Sequence, residues 1–168
     1  MKLIIINGHN KSGKNTFADF IAEYHDPTVW LSKIWSTQIP AIARVAGWDS
    51  QKDEKGRRLL SDIEDATNRY NGMSFNSICF QINKFSNVVE DIWITLMCRK
   101  PAEIKKFVEA YPGQATTVLI RSDRSKPANN RADQGVEDYL YDWIIENNGT
   151  IDEFKNKVYW VVKALENQ

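Results

Sequence analysis

Lys2-Leu3-Ile4-Ile5-Ile6-Asn7-Gly8-His9-Asn10-Lys11-Ser12-Gly13-Lys14-Asn15-Thr16-Phe17 is the stretch that decides the architecture. Its first six residues are a short aliphatic run ending at a glycine, the pattern of a strand buried on both faces. From Lys14 the apolar period changes: Phe17, Phe20, Ile21 and Tyr24 fall at helical spacing, and Asp26-Pro27 stops the helix. Between the two elements, Gly8 to Lys14 fits G-x-x-x-x-G-K. Phosphate binding needs this arrangement. Glycines let the backbone fold tightly around an anion, successive amides point inward, and the helix N-terminus adds a favourable dipole. Lys14 adds a mobile cation for the β- and γ-phosphates of a nucleotide.

Outward from this unit, Thr28 to Ser32 reads as a second short strand. Ile34 to about Asn87 is helical, with breaks expected at Gly47, Gly56 and Asn71-Gly72. Asp91 to Cys98 is rich in β-formers and is expected to be a central strand, and Pro101 opens a helix through about Ala110. Thr116 to Ile120 is the next strand, Ser122 to Gln134 a polar loop, and Asp142 to Glu146 the last strand. Thr150-Ile151-Asp152-Glu153 has the form of a capping box. Ile151, Phe154, Val158, Val161 and Leu165 then make one apolar helical face. Short buried strands alternating with helices predict an α/β fold with a mostly parallel sheet of five strands flanked by helices.

The composition narrows the class. The 168 residues carry 22 Lys+Arg against 22 Asp+Glu, and this zero net charge argues against a general nucleic-acid binder. Hydrophobic residues at 42% and charged residues at 26% are ordinary globular usage, which excludes a disordered or fibrous chain. No apolar run approaches the ~20 residues of a membrane span, and the N-terminal run is too short for a signal peptide. The expectation is one soluble cytoplasmic domain over residues 1–168, with no membrane or stable nucleic-acid partner. Cys79 and Cys98 have no Cys or His at metal-ligand spacing and read as packing residues in a reducing compartment.

The hydroxyl that usually follows the loop lysine is displaced: Asn15 comes first and Thr16 second. This Gly-Lys-x-Thr form resembles the nucleoside monophosphate kinases of the P-loop superfamily. Lys-Ser-Gly-Lys-Asn-Thr followed by Ala-Asp-Phe looks especially like the phage-type deoxynucleoside monophosphate kinases. The final strand, Asn147-Asn148-Gly149 turn and capped helix resemble the end of the same small kinases. The resemblance is weak over residues 34–90. It implies a three-layer P-loop fold with a helical acceptor-site insert at about 34–90 and a lid-like loop at about 121–134. It also implies ATP-dependent phosphoryl transfer to a nucleoside or deoxynucleoside monophosphate.

By that resemblance, Gly8, His9, Asn10, Lys11, Ser12, Gly13, Lys14, Asn15 and Thr16 would hold the donor phosphates of ATP. Lys14 would neutralise the transferred group, and Thr16 or Asn15 would face Mg2+, directly or through water. Arg99 follows the third strand at the carboxyl edge, where ligands bind in such sheets, and would take the acceptor phosphate. Arg124 and Arg131, beside Arg121 and Lys126 in the lid-like loop, would serve the donor phosphate and transition state. Each of these arginines has the alternative reading of a solvated surface cation. Arg58 is either an acceptor clamp or a solvated helix residue, and Trp48 or Trp35 could stack on an acceptor base. Trp93, Trp143 and Trp160 read as core. The aspartate that often ends the third strand is missing, Cys98 standing near its place, so that magnesium would lean on Asp123 or Asp133 through water. Net charge is unevenly spread: residues 99–131 hold eight Lys/Arg against three Asp/Glu, a net +5, and residues 133–153 hold seven acids and no cation. A kinase for another small acceptor, and a nucleotide-binding module with little catalysis, are the alternatives.

Overall fold

The computed structural model describes residues 1–30, 38–51, 53–125 and 135–167. Five strands form one sheet in the order β2-β3-β1-β4-β5: β1 Lys2–Asn7, β2 Thr28–Trp30, β3 Trp93–Met97, β4 Ala115–Arg121 and β5 Trp143–Glu146. Every pairing is parallel, so the sheet is wholly rather than mostly parallel. Ile4 sits opposite Thr95 of β3 on one side and Thr116 of β4 on the other. Six helices are described: α1 Lys14–Tyr24, α2 Gln38–Val45, α3 Glu54–Asn71, α4 Met73–Ser86, α5 Pro101–Ala110 and α6 Ile151–Glu166.

The alternation of β1 assigns the two sides of the core. Ile4 and Ile6 face Phe17 and Ile21 of α1 and Phe154, Val158 and Val161 of α6. Leu3 and Ile5 face Ile78 and Ile82 of α4 and Ile104 and Phe107 of α5. The sheet is thus the middle of three layers, and β1 has no wet face. The capping box of α6 forms as predicted: Glu153 N donates to Thr150 Oγ1 at 3.2 Å and Thr150 N donates to Glu153 Oε2 at 2.7 Å.

The structure departs from the sequence reading at several points. Gly56 does not break a helix; it is the third residue of α3, and its amide donates to the capping carboxylate of Asp53 at 2.7 Å. A glycine is present because a Cβ there would strike Gln51 O and lie 2.7 Å from Trp48 Nε1. Gly47 and Gly72 do separate helices, and Gly72 in the left-handed region (φ 66°) closes α3 and opens α4. β3 begins at Trp93 rather than Asp91, whose φ of 48° places it in a turn. Asp142 precedes β5 and caps β4 sideways, its Oδ2 accepting from both N and Oγ1 of Thr117 at 2.8 Å. Trp93 is core as expected at 1% exposure, but Trp160 is 68% exposed. It lies off the stripe formed by Phe154, Val158, Val161, Val162 and Leu165 and packs edge-on against Tyr159. The calls on Ile34, Trp35, Lys126, Arg131 and Asp133, and the end of the second strand, lie outside the described residues.

Gly56→Ala tests the packing account of the α2–α3 corner. Helix propensity alone favours alanine by up to ~1 kcal/mol, whereas the crowding by Gln51 and Trp48 predicts a loss of about 1–3 kcal/mol. Urea unfolding decides: an unchanged or raised midpoint would show that the corner has room.

Candidate active site

The parallel sheet brings the ends of β1, β3, β4 and β5 to one edge. There Gly8 leaves β1 at φ 147° and Gly13 enters α1 at φ 104°, with Lys11 between them at φ 64°. The space is as demanding as the dihedrals. A Cβ on Gly8 would strike Ile120 O and lie 2.6 Å from Ser12 Oγ; a Cβ on Gly13 would strike the Asn147 side-chain amide. The loop is pinned from both neighbours: Asn147 Nδ2 donates to Ser12 O at 2.9 Å, and Gly8 N donates to Asn7 Oδ1 at 2.8 Å. Lys14 is 8% exposed, and its Nζ lies across the loop, donating to Gly8 O at 2.7 Å and His9 O at 2.6 Å. Ser12 Oγ and His9 Nδ1 are buried without a partner among the described residues. Orphaned polar atoms are costly, and both belong to the loop that the Lys14 ammonium crosses, a setting whose donors fit phosphate oxygens.

The edge next to β3 carries a mixed cluster. Arg99 follows β3, and its carbonyl accepts from Asn7 Nδ2 at 3.1 Å. Lys100 Nζ meets Asp65 Oδ1 of α3 at 2.9 Å, tying the helical insert to the strand end. Glu64 is half-buried, and burial pushes its carboxyl up to about 7. Lys100 and Arg99 oppose that rise, whereas Glu103 and Asp65 reinforce it. Burial also raises Glu103, against Lys100 and Lys106. Cys98 stands just past the end of β3; its buried thiol lies 3.9 Å from Glu103 Oε2, and burial pushes it far up, so it stays protonated. Both cysteines are free.

On the β4 side, Arg121 meets Glu137 Oε2 at 2.5 Å and Glu146 Oε1 at 3.7 Å. Arg124 donates to Gly149 O at 2.7 Å, which anchors it on the turn before α6. His9, Arg121, Ser122, Asp123, Ser125, Glu137 and Glu146 line an open cavity of about 460 Å³. Asp123 belongs to this cavity. Asn15 is exposed and Thr16 half-buried at the start of α1. Among the described residues no group of three His, Cys, Asp or Glu side chains could hold a metal ion. Among them, too, no helix is long and apolar enough to cross a membrane.

No family model matches the sequence, and no curated protein does. Solved structures do match over nearly the whole chain. Dephospho-CoA kinase from Campylobacter jejuni aligns with a TM-score of 0.57 at 13% identity, over 98% of each chain. Thymidylate kinase from Candida albicans gives 0.53 at 14% identity, over 99% of this chain and 92% of that one. A gluconokinase from Sinorhizobium meliloti 1021 gives 0.52 at 14% identity, over 99% and 94%. The fold is that of the P-loop kinases.

In this P-loop kinase fold, the predicted residues are distributed unequally. Gly8 to Thr16 form the loop and first helical turn, and Arg99 stands at the strand end beside it. Arg58 is solvent-facing at 85% exposure and 4.0 Å from Asp62 on its own helix, which favours the solvated reading. Trp48 donates its Nε1 to Gln51 O at 2.9 Å and closes the α2–α3 corner. Sequence reading missed Asn7, Asn147, Glu64 and Lys100 as parts of the edge. Asn7 had one usable signal, an amide where a strand buried on both faces calls for an aliphatic residue.

Glu64 yields a pH signature. Its carboxyl titrates near 7 in the folded chain against 4.5 ordinarily, so its contribution to stability is complete below 4.5 and is lost as pH rises through 7. Glu64→Gln is therefore expected to raise Tm by several degrees at pH 8 and to leave it nearly unchanged at pH 4. A thermal scan showing the same difference at both pH values would refute the burial account.

Proposed function

We propose that the chain is an ATP-dependent phosphotransferase whose acceptor is a nucleoside or deoxynucleoside monophosphate, acting on free nucleotides in the cytoplasm as one domain. The observation that carries the reading is the loop itself: a glycine cradle with no room for side chains, roofed by the Lys14 ammonium and lined by the orphaned Ser12 hydroxyl. The Gly-Lys-x-Thr form and the capped terminal helix support the choice of acceptor.

In this reading the amides of Gly8 to Lys14 hold the β- and γ-phosphates of ATP. Lys14 moves from its loop carbonyls onto the transferred group. An acceptor phosphate oxygen attacks the γ-phosphorus as the bond to the β–γ bridging oxygen breaks, giving ADP and a nucleoside diphosphate. Such a transfer asks the protein for position and charge rather than covalent help. Arg99 would orient the acceptor phosphate from the β3 edge, and Arg124 and Arg131 would serve the donor side. Thr16 and Asn15 would hold Mg2+, which supplies charge neutralisation on the phosphates.

A second reading has its own observation. Arg99, Lys100 and Lys106 stand near Glu64, Asp65 and Glu103 at the β3 edge, three cations against three acids with no positive excess. That balance suits a small acceptor offering a hydroxyl rather than a dianionic phosphate, because a carboxylate there would take the hydroxyl proton.

One screen tests both. Purified protein with ATP and Mg2+ is offered each nucleoside monophosphate and a set of small alcohols, and ADP release is followed. Turnover with a monophosphate is the expected result; turnover with an alcohol alone selects the second reading. ATP binding without transfer to any acceptor would make the chain a nucleotide-binding module. Lys14→Ala should lower turnover at least ~100-fold with the fold intact by circular dichroism, and undiminished turnover would remove Lys14 from its role.

A further inference from the structure

The amide of Asn7 is fully buried at the end of β1 and spends every one of its main bonding groups on a different segment of the chain. Its Oδ1 accepts from Gly8 N at 2.8 Å, at the start of the phosphate loop. Its Nδ2 donates to Arg99 O at 3.1 Å, just past β3, and to Tyr141 Oη at 2.7 Å. Tyr141 in turn donates to Val136 O at 2.7 Å, in the turn stretch that precedes β5. Asn7 is 92 residues from Arg99 and 134 from Tyr141.

We infer that Asn7 and Tyr141 act together as positioning residues, locking the start of the phosphate loop, the backbone at Arg99 and the turn at Val136 into one register.

Three physical points carry this. A buried amide is costly unless its groups are bonded, and the Leu3–Ile6 stretch shows that this strand is otherwise aliphatic, so strand formation alone does not call for Asn7. A buried polar network with all members satisfied specifies a single arrangement, since any shift leaves a donor or acceptor stranded in low dielectric. The Tyr141 hydroxyl is pushed up to about 12, first by its burial, so it remains a donor to Val136 across the neutral range. Two of the segments the network joins are ones a phosphoryl transfer must align: the donor loop and the strand end that carries Arg99. The kinetic consequence rests on the functional reading above; the structural coupling does not.

Tyr141→Phe is the test, because it removes the hydroxyl and keeps the ring against Tyr139. Amide hydrogen exchange is expected to quicken at least tenfold in peptides covering residues 7–13, 98–100 and 135–141 together, with α6 and β2 unchanged. In the kinase assay kcat falls tenfold or more while the ATP KM moves less than about threefold, and the Asn7→Ala, Tyr141→Phe double variant is no worse than Asn7→Ala alone. Faster exchange confined to 135–141, or spread evenly over the whole sheet, overturns the inference. If the wild type transfers no phosphate, the functional reading fails, and the exchange pattern still decides the coupling.

Discussion

The site hangs on the approach of one backbone to its neighbours at the end of β1. Leu3 to Ile6 are buried on both faces of the sheet, so β1 cannot shift without exposing one of two apolar layers. Its continuation must turn at the carboxyl edge between β3 and β4, where Ile120 O and the Asn147 amide leave no room for a Cβ at Gly8 or Gly13. The glycines are thus required by packing from outside the loop. Gly8 and Gly13 also take positive φ values that other residues adopt at a cost.

Charge is arranged around that edge by tertiary pairing. The sequence has cations concentrated between residues 99 and 131 and acids after 133. Folding joins the two sets at Arg121, held by Glu137 and Glu146, while Lys100 pairs with Asp65 of α3. Ion pairs of this partly exposed kind contribute little to stability. Their effect is to aim the cations. The half-buried Glu64 and Glu103 lie near Lys100 at the same edge, and burial raises both carboxyls.

Much of the fold is legible because its signals are local. The change of apolar period at Lys14, Pro101 opening α5 and the Thr150–Glu153 capping box each act within one helical turn, and each element forms where its residues place it. The misreadings share a cause. Gly56, Asp142 and Trp160 obey neighbours distant in sequence or the direction of a helix face: Trp48, Thr117 and the outer side of α6. A glycine that relieves crowding and a glycine that breaks a helix are the same letter. An aspartate that opens a strand and one that caps its neighbour are likewise alike.

The sequence by itself determined the glycine loop, its place between a buried strand and a helix, and the α/β class, because backbone conformation and apolar period are properties of adjacent residues. Only the tertiary structure decided what surrounds the loop. It joined Asn7 to Arg99 and Tyr141, set Asn147 on Ser12, turned Arg58 to solvent and placed Glu64 beside Arg99. Those relations depend on which strands become neighbours, and the order β2-β3-β1-β4-β5 brings together residues as much as 135 positions apart. No local pattern encodes that distance; burial of both faces of β1 does.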